Sequence, residues 1–459
     1  MDSFLTTKNI KTEKKNSTNQ KIAIIGSGIT GLSAAWLLSK NNEVCIYEKN
    51  STLGGHSNTV KVDYTNSLGN NSLINVDTGF IVFNETNYPN FSKFLKKLNV
   101  DTINTNMSFS FSINKGDYEY SGSGLNGIFG QRKNILKYSQ WKFLSDIIKF
   151  SKLASKHIEK NCISNDTLIN WLTKNKFSDI FIYNYIIPMS SSIWSCSSKN
   201  IFNFPIDSLI YFFYHHGLLN LYKRPQWKTI KDGSIQYINA LIKESKFNYK
   251  LNSNIKSVIH KNNKIYIQDG SDIHEYDKII MACHPHQILK LCKNLNKECI
   301  DILKFFKYSK NKIVLHTSDQ FMPKNKKLWS SWNYFSNNNI DKNSSLQMTY
   351  WMNNLQKIDK RFPLYVTMNV DKTMQIKEES IFKTIHYEHP IIDQNSFKAQ
   401  NRLNSIQGIN NIWYSGAWTS FGFHEDGIRS GLLIAEKLGA NCPWNLIVNK
   451  SVKHKNFIN

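Results

Sequence analysis

The sequence predicts an α/β fold in which a Rossmann-like, dinucleotide-binding domain is interrupted by an inserted α+β domain. Three stretches carry this reading. Residues 21–48, KIAIIGSGITGLSAAWLLSKNNEVCIYE, run strand, glycine turn, helix, strand and acid without a break. Residues 135–225 are rich in aromatic and aliphatic side chains and read as mostly helices. Near the end, the apolar run Ile412-Trp413-Tyr414 enters Gly416, and Gly427-Ile428-Arg429-Ser430-Gly431 restarts a helix.

In the opening unit, Ile22, Ala23, Ile24 and Ile25 form the short apolar run that a strand buried on both faces needs. Gly26, Gly28 and Gly31 then meet three demands: a tight turn, close backbone approach to a pyrophosphate, and close packing of helix on strand. The helix start offers free N–H groups and a positive dipole end to a diphosphate. Gly26, Ser27, Gly28, Ile29, Thr30 and Gly31 are therefore the candidate cradle. Glu48, twenty residues past Gly28 and followed by Lys49, can accept hydrogen bonds from an adenosine ribose. A lone glycine triplet is weak evidence. Here strand, glycines, helix, second strand and acid stand in register.

Residues 91–100 place Phe91, Phe94, Leu95 and Leu98 at helical spacing, and the alternation over 107–120 reads as a hairpin. Gly122, Gly124 and Gly127 repeat the dinucleotide pattern literally, but no buried apolar strand leads into them and position 144 is Leu where an acid is needed. With no second Rossmann unit, electrons are expected from the substrate and not from bound NAD(P)H. Residues 234–243 read as a helix, 249–258 as one strand, and 265–267 and 278–282 as strands continuing the sheet. Residues 312–316 and 346–352 read as strands of a second excursion. His284 and His286 suggest a metal, yet no third ligand lies near them in sequence, so a loop ending at the nucleotide site is expected and no metal.

Beyond Glu48 the chain reads Lys49-Asn50-Ser51-Thr52-Leu53-Gly54-Gly55-His56. A Gly-Gly pair there resembles FAD-dependent amine oxidases and phytoene desaturases, in which an Arg usually follows; here His56 stands instead. That departure, with residues 76–85 (VDTGFIVFNE), Tyr88-Pro89-Asn90, residues 119–132 and Tyr350-Trp351-Met352-Asn353, resembles a narrower group: amine-oxidase-like flavoproteins associated with cyclopropane-fatty-acid-synthase-like methyltransferases. The resemblance implies FAD, and a glutathione-reductase-like FAD-binding domain with an inserted α+β substrate domain. It places Gly54, Gly55 and His56 at the cofactor, nominates Ile255 against adenine, and makes Gly416, Ala417, His424, Glu425 and Ile428 the closing flavin motif. Asp232 departs from the usual Gly-Gly turn. Lys312 falls where amine oxidases often set a lysine and a water beside flavin N5; here it is expected as a surface lysine.

The expected boundaries are a disordered tail over 1–20, FAD-binding segments over 21–105, 226–300 and 396–445, and substrate-domain segments over 106–225 and 301–395. At 459 residues the chain is long enough for two cored domains. Its formal charge of +24 comes from 58 basic residues of which five are Arg, with no clustered Arg stripe, which argues against nucleic acid and leaves anionic membrane as the expected partner surface. Seven scattered cysteines without a Cys-x-x-Cys pair suit reduced thiols in a cytoplasm. Three functions follow as expectations. An FAD oxidoreductase taking hydride from a fatty acyl lipid is favoured, with a methyltransferase as candidate partner; an amine oxidase acting on a small amine and a non-catalytic flavin-bearing subunit are the rivals. No catalytic acid or base is assigned.

Overall fold

The computed structural model describes residues 19–448 apart from 161, 163, 165, 220–224, 342, 343, 345, 372 and 373. Most of the expected tail, and Tyr222 and Arg224, lie outside the described residues. The strand β1 (Lys21–Ile25), the helix α1 (Ile29–Leu38) and the strand β2 (Glu43–Tyr47) form the opening unit. A five-stranded parallel sheet is built on them, in the order Ile412–Tyr414, Lys278–Met281, β1, β2, Asn248–Lys250. Every residue of α1 is buried, because the sheet covers one side and the helix His424–Lys437 the other. That helix comes close through its glycines: a Cβ on Gly431 would lie 2.3 Å from the Thr30 carbonyl, and Thr30 Oγ1 donates to the Gly427 carbonyl at 3.0 Å.

A second, seven-stranded sheet draws strands from both excursions, in the order Ile381–Ile391, Lys307–His316, Tyr365–Met368, Met348–Trp351, Trp332–Ser336, Phe109–Ile113, Tyr118–Ser121. Its pairs are antiparallel except Trp332–Ser336 with Phe109–Ile113, the seam where the two excursions meet. Helices of the middle segment, among them Tyr138–Glu159, Ile187–Trp194 and Ile206–His215, share one apolar core with this sheet.

Two sequence readings need correction, the single strand over 249–258 and the place of 265–267 in the parallel sheet. Residues 249–258 are not one strand: Asn248–Lys250 joins the parallel sheet, and Ile255–Lys261 opens a separate antiparallel sheet with Lys264–Asp269 and Asp272–Tyr276. The break arises because Ser253 N–H and Asn252 N–H turn to donate to the carbonyls of Glu48 and Asn50, with Asn252 at φ 53°. Asp232 takes the turn of a glycine at φ 60°, and its carbonyl accepts from Asn75 Nδ2 at 3.0 Å.

Candidate functional site

One cavity of about 2350 Å³ runs from the end of β1 to the helical middle segment. Ligand sites usually occupy roughly 300–1,000 Å³, so this space is large enough for two ligands end to end. At its first end Gly26, Ser27, Gly28, Ile29 and Thr30 line the wall with Glu48, Lys49, Gly54, Gly55 and His56. Glu48 is buried, and one of its oxygens accepts from Ser27 N at 3.0 Å and Ser27 Oγ at 2.6 Å, which fixes the carboxylate against the glycine turn. The Gly-Gly pair is stitched to the same turn through Gly54 N–H to the Ser27 carbonyl at 3.1 Å. A Cβ built on Gly28 meets nothing within 4 Å, so the position where a side chain would stand is open space on the cradle. Gly31 does not line the cavity; its missing side chain lets α1 sit on β1, since a Cβ there would lie 2.0 Å from the Gly26 carbonyl.

The closing motif divides. Gly416, Ala417 and His424 line the cavity, whereas Glu425 and Ile428 do not, contrary to their expected place at a flavin ring. Glu425 is the next residue along the helix and faces away: its carboxylate accepts from Asn90 N–H, Asn90 Nδ2 and Phe91 N–H at 3.1, 2.6 and 3.0 Å, closing the N-terminus of the helix Pro89–Lys97. Ile428 is buried in the core around α1. His424 stacks on Phe80 with centroids 3.8 Å apart. Ile255 lines the cavity at the Glu48 end. Lys312 is exposed and is not among the lining residues.

Several lining residues had no local motif to announce them. His56, placed at the cofactor by the Gly-Gly motif, stacks on Tyr387 at 4.7 Å and meets His389 edge-on at 5.3 Å, neither of which a motif announces; its Nε2 is buried with no hydrogen-bond partner. Asn311 Nδ2 donates to His389 Nδ1 at 2.8 Å, leaving the His389 proton on Nε2. Glu388, on the strand Ile381–Ile391, corrects the expectation that His284 and His286 lack a third ligand: its Oε2 lies 3.1 Å from His284 Nδ1 and 3.3 Å from His286 Nε2. Among the described residues these three form a group that could hold a metal ion, their ligand atoms all within 4.8 Å of one another. Burial lowers His284 to about 4, so at neutral pH its imidazole is uncharged and donates Nδ1–H to the carboxylate. Only the folded chain brings together residues a hundred positions apart.

Burial also holds His56, His216 and His316 down to about 4 and His389 and His424 to about 3. Between pH 6.5 and 4 the unfolded chain therefore binds protons that the native protein refuses, so stability present above pH 6.5 is lost as pH falls. Asp77 and Glu425, raised by burial to about 6 and about 7, act in the opposite sense. Six histidines outweigh two acids, at up to about 1.4 kcal/mol per pH unit each. The urea midpoint of the apoprotein is expected to fall from pH 7 to pH 5; a rise would show that the acids dominate.

Residues 24–98 match the NAD(P)-binding Rossmann-like domain family. A stretch of 51 residues is 49% identical to 4,4'-diapophytoene desaturase (4,4'-diaponeurosporene-forming) of Staphylococcus aureus, covering 11% of this chain and 10% of the relative. The chain thus matches about a tenth of the length of that curated relative. Similar solved structures include a putative protoporphyrinogen oxidase from Exiguobacterium sp. 255-15 (TM-score 0.66, 11% identity, 91% of this chain and 98% of the other). Others are a CLA-producing fatty acid isomerase from P. acnes (0.59, 14%, 91% and 98%) and cyclohexylamine oxidase from Brevibacterium oxydans IH-35A (0.61, 13%, 92% and 99%). At such identities these likenesses establish a shared fold.

Proposed function

We propose, from a chain that carries the fold of the amine oxidase and phytoene desaturase superfamily, that this protein is an FAD-dependent oxidoreductase taking hydride from a fatty acyl lipid. The observation that carries it is the continuity of one cavity from the Gly28–Glu48 cradle into an apolar middle segment lined by Ile147, Phe150, Met189, Ile193, Phe212 and Leu219. The cradle fits FAD. Open space at Gly28 leaves room for a pyrophosphate, Glu48 has carboxylate lone pairs for a ribose, and the unpartnered buried Nε2 of His56 offers a further polar contact. Bound there, FAD would supply a hydride acceptor at ring N5. The chain's own part is to bind, orient and keep water out: apolar walls hold an acyl chain at about 0.8 kcal/mol per buried methylene, and His389 presents a neutral Nε2–H donor.

Amine oxidation is the weaker reading because Lys312 is exposed outside the cavity wall and the cation-bearing wall residues Lys49, Lys290, Lys310 and Lys383 all sit at its exposed rim. The fatty acid isomerase and desaturase among the similar proteins support the lipid reading, as the cyclohexylamine oxidase supports its rival. Purified protein should release FAD on denaturation, and anaerobic acyl lipids should bleach the flavin; bleaching by amines alone would transfer the assignment. NADH and NADPH are expected to reduce it poorly. The second glycine triplet follows the antiparallel strand Tyr118–Ser121 and forms the exposed rim and short helix Gly124–Ile128, with no parallel strand or acid for a nucleotide. Rapid stoichiometric bleaching by either nucleotide would contradict this.

A further inference from the structure

We propose that the surface carrying Leu125, Leu136, Tyr138 and Trp141 docks on an anionic lipid bilayer and sets the adjoining cavity mouth against it. Among the described residues fifteen large apolar side chains are exposed, and six of them fall between positions 125 and 148. Leu136 is 91% exposed and Tyr138 82%. Scattered singly, such residues need no explanation; gathered, they mark a binding face.

The face is built, not frayed. Trp141 Nε1–H donates to the Ile135 carbonyl at 2.8 Å, and its half-exposed ring packs on buried Phe129 at 5.1 Å. Gln140 Nε2 donates to the Ile128 carbonyl at 3.0 Å while its Oε1 accepts from Tyr118 OH at 2.8 Å, tying the helix start to the seven-stranded sheet. Rigid presentation of side chains to solvent suits insertion among lipid headgroups.

Charge selects the occupant. From Tyr120 to Glu159 the chain carries Arg132, Lys133, Lys137, Lys142, Lys149, Lys152 and Lys156 but two carboxylates, of which Glu159 ends the helix far from Leu136 and Tyr138 and one lies among the apolar side chains of the face. That one, Asp146, is buried under Lys142 and bonded to Ser178. A predominantly basic face interleaved with apolar side chains complements an anionic bilayer, whose potential draws basic groups. Access agrees with it, because Leu125 and Ile148 are exposed on this face and also line the cavity. As the route by which an acyl chain enters, the proposal rests on the acyl-lipid reading.

The flavin-loaded protein is sedimented with vesicles of phosphatidylcholine alone and of phosphatidylcholine with phosphatidylglycerol, at low and high salt. Wild type is expected to bind the anionic vesicles in a salt-sensitive way, and Leu136→Glu with Tyr138→Glu to bind roughly tenfold less or weaker still. Those side chains are nearly free in solvent, so flavin content and flavin reduction by detergent-dispersed acyl lipid should be unchanged in the double variant. Wild type that ignores anionic vesicles, or a double variant that binds as wild type does, overturns the docking face even where dispersed lipid still reduces the flavin. Docking that holds while no acyl lipid reduces the flavin supports the surface and removes the substrate reading instead.

Discussion

Gly28→Val is expected to give a folded protein without flavin, and Gly31→Ala a protein with a markedly lowered melting temperature. The two glycines are three residues apart and fail for opposite reasons. A Cβ on Gly28 meets nothing within 4 Å and its φ of −62° suits any residue, so the apoprotein tolerates a side chain there. The branched Val would fill the space a pyrophosphate must enter, and flavin content should drop below about a tenth of wild type. A Cβ on Gly31 instead lies 2.0 Å from the Gly26 carbonyl, a backbone atom that cannot rotate away. Overpacking commonly costs about 1–3 kcal/mol, and more against rigid backbone, out of a total stability of roughly 5–15 kcal/mol. Flavin absorbance after denaturation and the melting temperature separate the cases. A Gly28→Val protein with full flavin would contradict the cradle.

Met189→Trp should leave flavin in place and cripple turnover of long chains. Met189 lies on the helix Ile187–Trp194, is half-buried, and lines the apolar part of the cavity away from the glycine cradle. An indole there shortens the space for an acyl tail. Excluding four methylenes would cost about 3 kcal/mol, on the order of 100-fold in affinity. Short acyl chains that never reach the indole should be nearly unaffected. An equal loss for short and long chains would point to distortion of the site instead of a shortened channel.

What the sequence disclosed follows the range of the interactions. The cradle was legible because β1, the glycines, α1 and Glu48 are one local unit whose spacing is set by a pyrophosphate and a helix N-terminus. The closing motif was legible in outline but not in detail: Gly427 and Gly431 serve the crossing of two helices, and Glu425 turns to the Pro89–Lys97 helix because adjacent residues on a helix face different ways. The strand break after Lys250 escaped because its cause is a pair of hydrogen bonds to Glu48 and Asn50, some two hundred positions earlier. Tyr387, Glu388 and His389 escaped for the same reason: pairing of the long strands Lys307–His316 and Ile381–Ile391 brings Asn311 to His389, and the fold brings His56 and His284, from other elements, to Tyr387 and Glu388. Nothing local in residues 387–389 signals a cavity wall.

The most direct test of an acyl-lipid flavoenzyme is anaerobic reduction of its bound flavin by a graded panel, followed at the flavin absorbance band. Unsaturated and methyl-branched acyl lipids should bleach it, with apparent affinity rising as the chain lengthens into the cavity and then levelling off. Monoamines and polyamines should leave it oxidised. Bleaching by amines with no response to any acyl lipid would contradict the account.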